Sequence, residues 1–164
     1  VADFAAPVFE DVEAASRWRE EQRARGRRIV FTNGVFDLVH AGHVAYLAWA
    51  RAQGDALIVG LNADASVRAL KGPERPLVPY ADRARVVAAL RGVDAVVGFA
   101  ERTPETLLER IRPDVHVKSA QYRLEDLPER IVVLQHGGEI RLAPHVAGRS
   151  TTDIVAEIRR RYGA

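Results

Sequence analysis

The chain has 164 residues, 48% of them hydrophobic and 28% charged, with a formal net charge of +2. That suits one globular domain with a substantial core and leaves little room for two. It contains no cysteine, which excludes a disulfide framework, a thiolate metal site and a cysteine nucleophile. No apolar run approaches the ~20 residues of a membrane span, and no secretory leader is legible, so a cytoplasmic protein is expected.

The first element is a charge-rich helix over 11–25, with Val12, Ala15 and Trp18 on one face and Gly26 at its end. Residues 1–27 are expected to form an N-terminal helical extension, and 28–164 the main domain. The run "RIVFTN" reads as a strand, and a loop separates it from a helix opening at "AGH". "ALIVGLN" has the compact, β-branched character of a buried parallel strand, completing a βαβ unit. A short helix and the segment "LKGPERPLVP" follow, then an amphipathic helix "YADRARVVAALRG" stopped by Gly92. After strand "AVVGF", Thr103 and Pro104 are expected to cap the helix "ETLLERI". "DVHVK" reads as a further strand, and "IVVLQHGGEIRL" as two short strands around Gly137 and Gly138. Ser150 and Asp153 then form a capping box for a last helix with Ile154, Val155 and Ile158 inward. The alternation predicts an α/β fold: a Rossmann-like open, mostly parallel sheet with helices on both faces. Its ligand crevice should lie at the carboxyl ends of the strands.

The chemistry concentrates in "FTNGVFDLVHAGH". Gly34 permits close backbone approach and Gly42 opens a helix whose N-terminus favours an anion, with His40 and His43 leaning over it. Neither a dinucleotide fingerprint nor a Walker loop is present. A zinc site would want a third ligand, and Asp37 is the only carboxylate nearby, so phosphate handling is preferred over metal ligation. Twenty-two of the 24 basic residues are arginine, which sets apart Lys71 and Lys118 as compact, mobile charges. The basic residues are interleaved with acidic ones and form no stripe, which argues against a nucleic-acid partner.

"NGVFDLVHAGH", with "STT" near the C-terminus, resembles the nucleotidyltransferase superfamily whose signature is H-x-G-H, here His40 to His43. With "LNADASVRALKGPERPLVP", "DRARVVAALRGVD", "TPETLLERIRPDVHVK" and "GRSTTDI", the chain is similar to the bacterial sugar-phosphate adenylyltransferases that make ADP-heptose. The likeness runs from about residue 28 to about 158. It implies transfer of AMP from ATP to a sugar 1-phosphate with release of pyrophosphate. It further implies catalytic roles for His40, His43 and Lys71. A nucleotide site would comprise Asn33, Gly34, Val35, Phe36, His40, Gly42, His43, Lys118, Gly148, Arg149, Ser150, Thr151 and Thr152, and an acceptor site Lys71, Arg83 and Gln121. Asn62, Asp37 and Asp64 rank as supporting residues. Magnesium carried by the triphosphate is the implied cofactor, no protein-held metal is expected, and a homodimer is. Where the family reads lysine, glycine, glycine, aspartate, tyrosine, this chain has "KSAQY" (118–122), a departure that bears on acceptor or base choice. A cytidylyltransferase acting on glycerol 3-phosphate, and a nucleotide-binding module without catalysis, are the alternatives.

Overall fold

The computed structural model describes residues 5–144 and 150–163. In chain order the elements are β1 (Val8–Phe9), α1 (Val12–Ala24), β2 (Ile29–Gly34), α2 (Ala41–Arg51), β3 (Ala56–Asn62), α3 (Asp64–Lys71) and α4 (Tyr80–Ala88). Then come β4 (Ala95–Phe99), α5 (Glu105–Ile111), β5 (Val115–Ser119), α6 (Arg130–Gln135), β6 (Glu139–Ala143) and α7 (Thr151–Tyr162). The strands form one sheet in the order β1-β4-β3-β2-β5-β6, and every pairing is parallel.

Period-2 alternation on the central strands divides the core into two layers. Val30, Leu57, Val59, Leu61, Val96 and Val117 face one side, where Leu47 of α2 and Val87 of α4 cover them. Ile29, Phe31, Ile58 and Val97 face the other, against Ala15 of α1, Leu107 and Leu108 of α5 and Val133 of α6. All seven residues of β3 are buried, as a strand covered on both faces requires. The chain leaves β2 toward β3 and β4, then crosses back to β5 and β6 on its other side. The carboxyl ends of β2 and β5 therefore flank the point where strand order reverses, the place where open α/β sheets bind ligands.

Several local expectations change. The run 131–135 belongs to helix α6 rather than a strand, because β5 and β6 are parallel neighbours and a parallel pair needs a crossover. A short apolar run is ambiguous by periodicity alone. The two-residue β1, unanticipated, adds to the edge beside β4. Helix α4 ends at Ala88, ahead of Gly92. Pro104, not Thr103, occupies the cap of α5 and no side chain caps that helix. Ile158 of α7 is 48% exposed, and none of that helix's residues is buried.

Candidate active site

The loop leaving β2 is shaped by its own side chains. Phe36 takes a left-handed backbone conformation, φ 46°, uncommon for a large residue, and its ring is buried against His43 with centroids 5.1 Å apart. A Cβ on Gly34 would stand 2.8 Å from that ring, so glycine leaves the space that lets Phe36 fold back. His40 is the N-cap of α2: its Nδ1 accepts from the Gly42 amide at 3.1 Å. Nε2 is then the protonated nitrogen of the neutral ring, a donor. His43, one turn into the helix, stacks on His40 with centroids 3.9 Å apart and planes 28° from parallel. Burial, then the nearby His40 charge, lower the His43 pKa to about 4, while the Leu38 backbone pulls the other way. The site therefore offers a neutral imidazole at neutral pH, stacked on a second ring, at a helix end that attracts anions.

A second segment is strapped across this loop. Asp37 is 4% exposed, and its carboxylate accepts from the amides of Leu77 and Val78, each at 2.9 Å, and from Arg75 Nε at 2.6 Å. Burial alone would raise its pKa, but these donors outweigh burial and lower it. Arg83, 1% exposed, donates from Nε to the Val78 carbonyl at 2.9 Å and from Nη1 to the Val35 carbonyl at 2.7 Å. Its Nη2 reaches the Asn62 carbonyl at 2.9 Å and Asp64 at 2.7 Å. The expectation that Arg83 contacts substrate phosphate does not match this geometry. The guanidinium is directed onto protein oxygens and joins the ends of β2 and β3 to the segment before α4. Asn62 and Asp64 take part in that clasp. Lys71 is the exposed last residue of α3, and Gly72 follows with φ 98°, a conformation that favours glycine.

Across the strand-order reversal, Lys118 of β5 reaches Asn33 Oδ1 and Glu129 Oε1, each at 3.2 Å, with its ammonium 5.0 Å from the centre of the Tyr122 ring. Gln121 is exposed, and its backbone amide donates to Ser119 Oγ at 3.3 Å. Ser150 Oγ caps α7 by accepting from the Asp153 amide at 3.1 Å, as the capping box predicts. Thr151 Oγ1 approaches the Leu38 carbonyl at 3.5 Å, which brings the start of α7 to the histidine loop. Thr152 is exposed. A groove of about 690 Å³ opens there, lined by His40, Ala41, Ser150, Asp153 and Ile154 among others. Gly148 and Arg149 lie outside the described residues.

Sequence reasoning missed Glu129 and His116. Glu129 is 2% exposed and His116 fully buried, with 3.3 Å between His116 Nε2 and Glu129 Oε1. A histidine in an otherwise apolar strand run was the available signal. Glu129 lay in a charged stretch, "RLEDLPER", with nothing to mark it as buried. No three His, Asp or Glu among the described residues gather as metal ligands. No helix among them is long and apolar enough to cross a membrane.

Fold and site together define an α/β core with paired histidines at a helix N-terminus beside the strand-order reversal. Residues 31–159 match the cytidylyltransferase-like family, and the chain belongs to that family of nucleotidyltransferases. It is 55% identical over 141 residues to the bifunctional protein HldE of Azotobacter vinelandii, covering 86% of this chain and 30% of that protein. It is 51% identical over 144 residues to the protein of the same name from Geobacter metallireducens, covering 88% and 29%. The chain thus spans under a third of the length of these relatives. The crystal structure of the lipopolysaccharide core biosynthesis protein from Thermoplasma volcanium has the same fold, with a TM-score of 0.61 at 21% identity over 74% of this chain and 98% of that one.

Proposed function

We propose that the chain transfers AMP from ATP to a sugar 1-phosphate, foremost heptose 1-phosphate, with release of pyrophosphate. The observation that carries the reading is the stacked His40–His43 pair at the N-terminus of α2, beside the strand-order reversal, in a chain half identical to HldE. An acceptor phosphate oxygen attacks the α-phosphorus; the bond to the bridging oxygen of pyrophosphate breaks, and pyrophosphate leaves with the electron pair. Charge builds on the nonbridging and leaving oxygens, so the protein's part is to place donors around an in-line displacement. In this reading the N–H groups of His40 and His43 donate to the triphosphate, and the amides at the start of α2 add their partial positive charge. Gly34 and Gly42 leave room for phosphate, while Val35 and Phe36 shape the wall. Lys71 follows the phosphates on its flexible stem, and Ser150, Thr151 and Thr152 close the far side together with Gly148 and Arg149. Lys118 and Gln121 flank the nucleotide and acceptor on the β5 side.

Magnesium enters as the partner of the triphosphate, held by phosphate oxygens and water. The donor set supports this: Asp37, the carboxylate nearest the histidines in sequence, already accepts from Leu77, Val78 and Arg75. Substrates are small molecules, the setting is the cytoplasm, and the active form is a homodimer, which a solution mass of two chains would support and a monomeric mass would oppose. Because the matching family is described as cytidylyltransferase-like, CTP with glycerol 3-phosphate is the second reading. A panel of ATP, CTP, GTP and UTP against heptose 1-phosphate and glycerol 3-phosphate, read as pyrophosphate release, decides between them. Turnover with CTP alone overturns the leading reading. Triphosphate binding without release for any acceptor would make the chain a binding module.

A further inference from the structure

The only two lysines of the chain lie on different elements, Lys71 at the end of α3 and Lys118 in β5, and of the two only Lys118 is paired, among the described residues, with a buried carboxylate. Lys71 is exposed, whereas the side chain of Lys118 is 11% exposed and is met by Glu129, whose side chain is 3% exposed. Glu129 stands at the N-terminal end of α6, a helix that only completes the crossover to β6, and burying its carboxylate there would be costly without partners. It has two. His116 Nε2 lies 3.3 Å and Lys118 Nζ 3.2 Å from the same oxygen, Oε1. Burial, and next to it the Lys118 charge, keep the fully enclosed His116 ring neutral against the pull of Glu129, so Nε2 donates its hydrogen to the carboxylate. These donors hold the Glu129 pKa down at about 2 although burial works the other way.

The consequence reaches the crevice through Lys118. An ammonium has three donors and no acceptor, so whatever it touches must present an acceptor. Its contact on β2 is Asn33 Oδ1, at 3.2 Å. With the oxygen held by Lys118, the amide's NH2 must turn the other way, and Asn33 sits at the carboxyl end of β2 immediately before Gly34 and the histidine loop. An amide without such a partner presents either end with similar ease; this one has a single orientation.

We propose that Glu129 is a positioning residue of the crevice: through Lys118 it sets the Asn33 side-chain amide with its oxygen toward β5 and its NH2 as a hydrogen-bond donor to an acceptor oxygen of the bound nucleotide. His116, two residues before Lys118 on β5, supports Glu129 from the core and completes a chain of four side chains, His116 to Glu129 to Lys118 to Asn33, running from the core to the site. Its functional end rests on the crevice being the nucleotide site. The hydrogen-bond chain itself does not.

Two readouts separate those parts. In the 15N–1H spectrum of the ligand-free protein, the Asn33 side-chain NH2 pair, assigned by its disappearance in Asn33→Asp, should move by about 0.2 ppm or more in proton shift in Glu129→Gln. It should return toward its original position in Glu129→Asp and stay in place in Glu125→Gln, a change at an exposed carboxylate. For function, Glu129→Gln should raise KM and weaken binding of a non-hydrolysable ATP analogue about 5–20-fold while kcat stays within about threefold. The double variant Glu129→Gln/Asn33→Ala should bind no more weakly than Asn33→Ala alone, because both act through one donor. If Glu129→Gln fails to fold, Glu129→Asp and Lys118→Met are read by the Asn33 NH2 signal alone, which should shift in Lys118→Met and stay nearer its place in Glu129→Asp. Additive losses in the double variant, or an unmoved Asn33 pair, overturn the proposal. If the unaltered protein binds no nucleoside triphosphate, the nucleotidyltransferase reading fails, and the Asn33 signal still decides whether the chain of bonds exists.

Discussion

The two banks of the crevice are held by different means. On the β2 and β3 side, Asp37 and Arg83 spend their hydrogen bonds mainly on backbone atoms, the amides of Leu77 and Val78 and the carbonyls of Val35, Val78 and Asn62. On the β5 side the corresponding chain runs from side chain to side chain, His116 to Glu129 to Lys118 to Asn33. A charged group bonded to backbone fixes the course of the chain and is indifferent to most neighbouring side chains. A chain of side chains can be retuned by a single substitution. The first bank therefore suits a task that does not change, which in the proposed function is presenting imidazoles and amides to phosphate. The second suits selection of what lies beside it, and "KSAQY" is on that bank.

Substitutions that break one bank and spare the other test the contrast. The largest effect is expected at the histidines: His43→Ala should lower turnover about 10²–10³-fold with triphosphate affinity changed only severalfold, since the donor matters most where charge develops. Pyrophosphate release and calorimetric binding measure the two separately, and equal losses would reduce His43 to a binding group. Next, Arg83→Met removes donors to three carbonyls and Asp64 at once and should destabilise the fold by about 3–5 kcal/mol, read from denaturant unfolding. A stable Arg83→Met protein with only its acceptor KM raised would return Arg83 to the acceptor site.

Asp37→Asn should cost about 1–3 kcal/mol, because an amide cannot replace an ionised acceptor for three donors. It should also change the acid limb. Since the folded-state pKa of Asp37 is depressed, its contribution is present above the unfolded value near 3.9 and is lost as pH falls through the folded value. The variant's stability profile should be flatter below about pH 4. A separate pH effect concerns His43. Its folded pKa of about 4 lies below the unfolded 6.5, so the unfolded chain takes up a proton that the folded one refuses. Stability should fall as pH drops from about 6.5 to about 4, and His43→Phe should remove part of that slope.

Much of this was legible in the residues. "ALIVGLN" announced a strand buried on both faces, and the alternation of apolar runs with amphipathic segments announced the doubly wound sheet, because periodicity reports burial directly. "HAGH" placed two imidazoles at a helix start because Gly42 and the following apolar spacing mark that start. "IVVLQ" misled because four apolar residues in a row fit strand and helix alike, and only the parallel pairing of β5 with β6 required a helix between them. Arg83 was legible as special through the family resemblance, but its partners come from the ends of β2 and β3 and the segment before α4, and no local pattern encodes three carbonyls converging on one guanidinium. His116 and Glu129 are 13 residues apart, one in a strand and one at a helix start, and neither carried a mark of the other.

The sequence by itself determined the class of fold, the histidine pair and the capped start of α7, since each follows from interactions within a few residues or from the repeat of apolar positions. The tertiary structure decided which charges face the crevice and which are consumed in building it. That choice depends on burial and on partners distant in the chain, and burial is what sets Arg83 apart from the exposed arginines and Glu129 from the carboxylates around it.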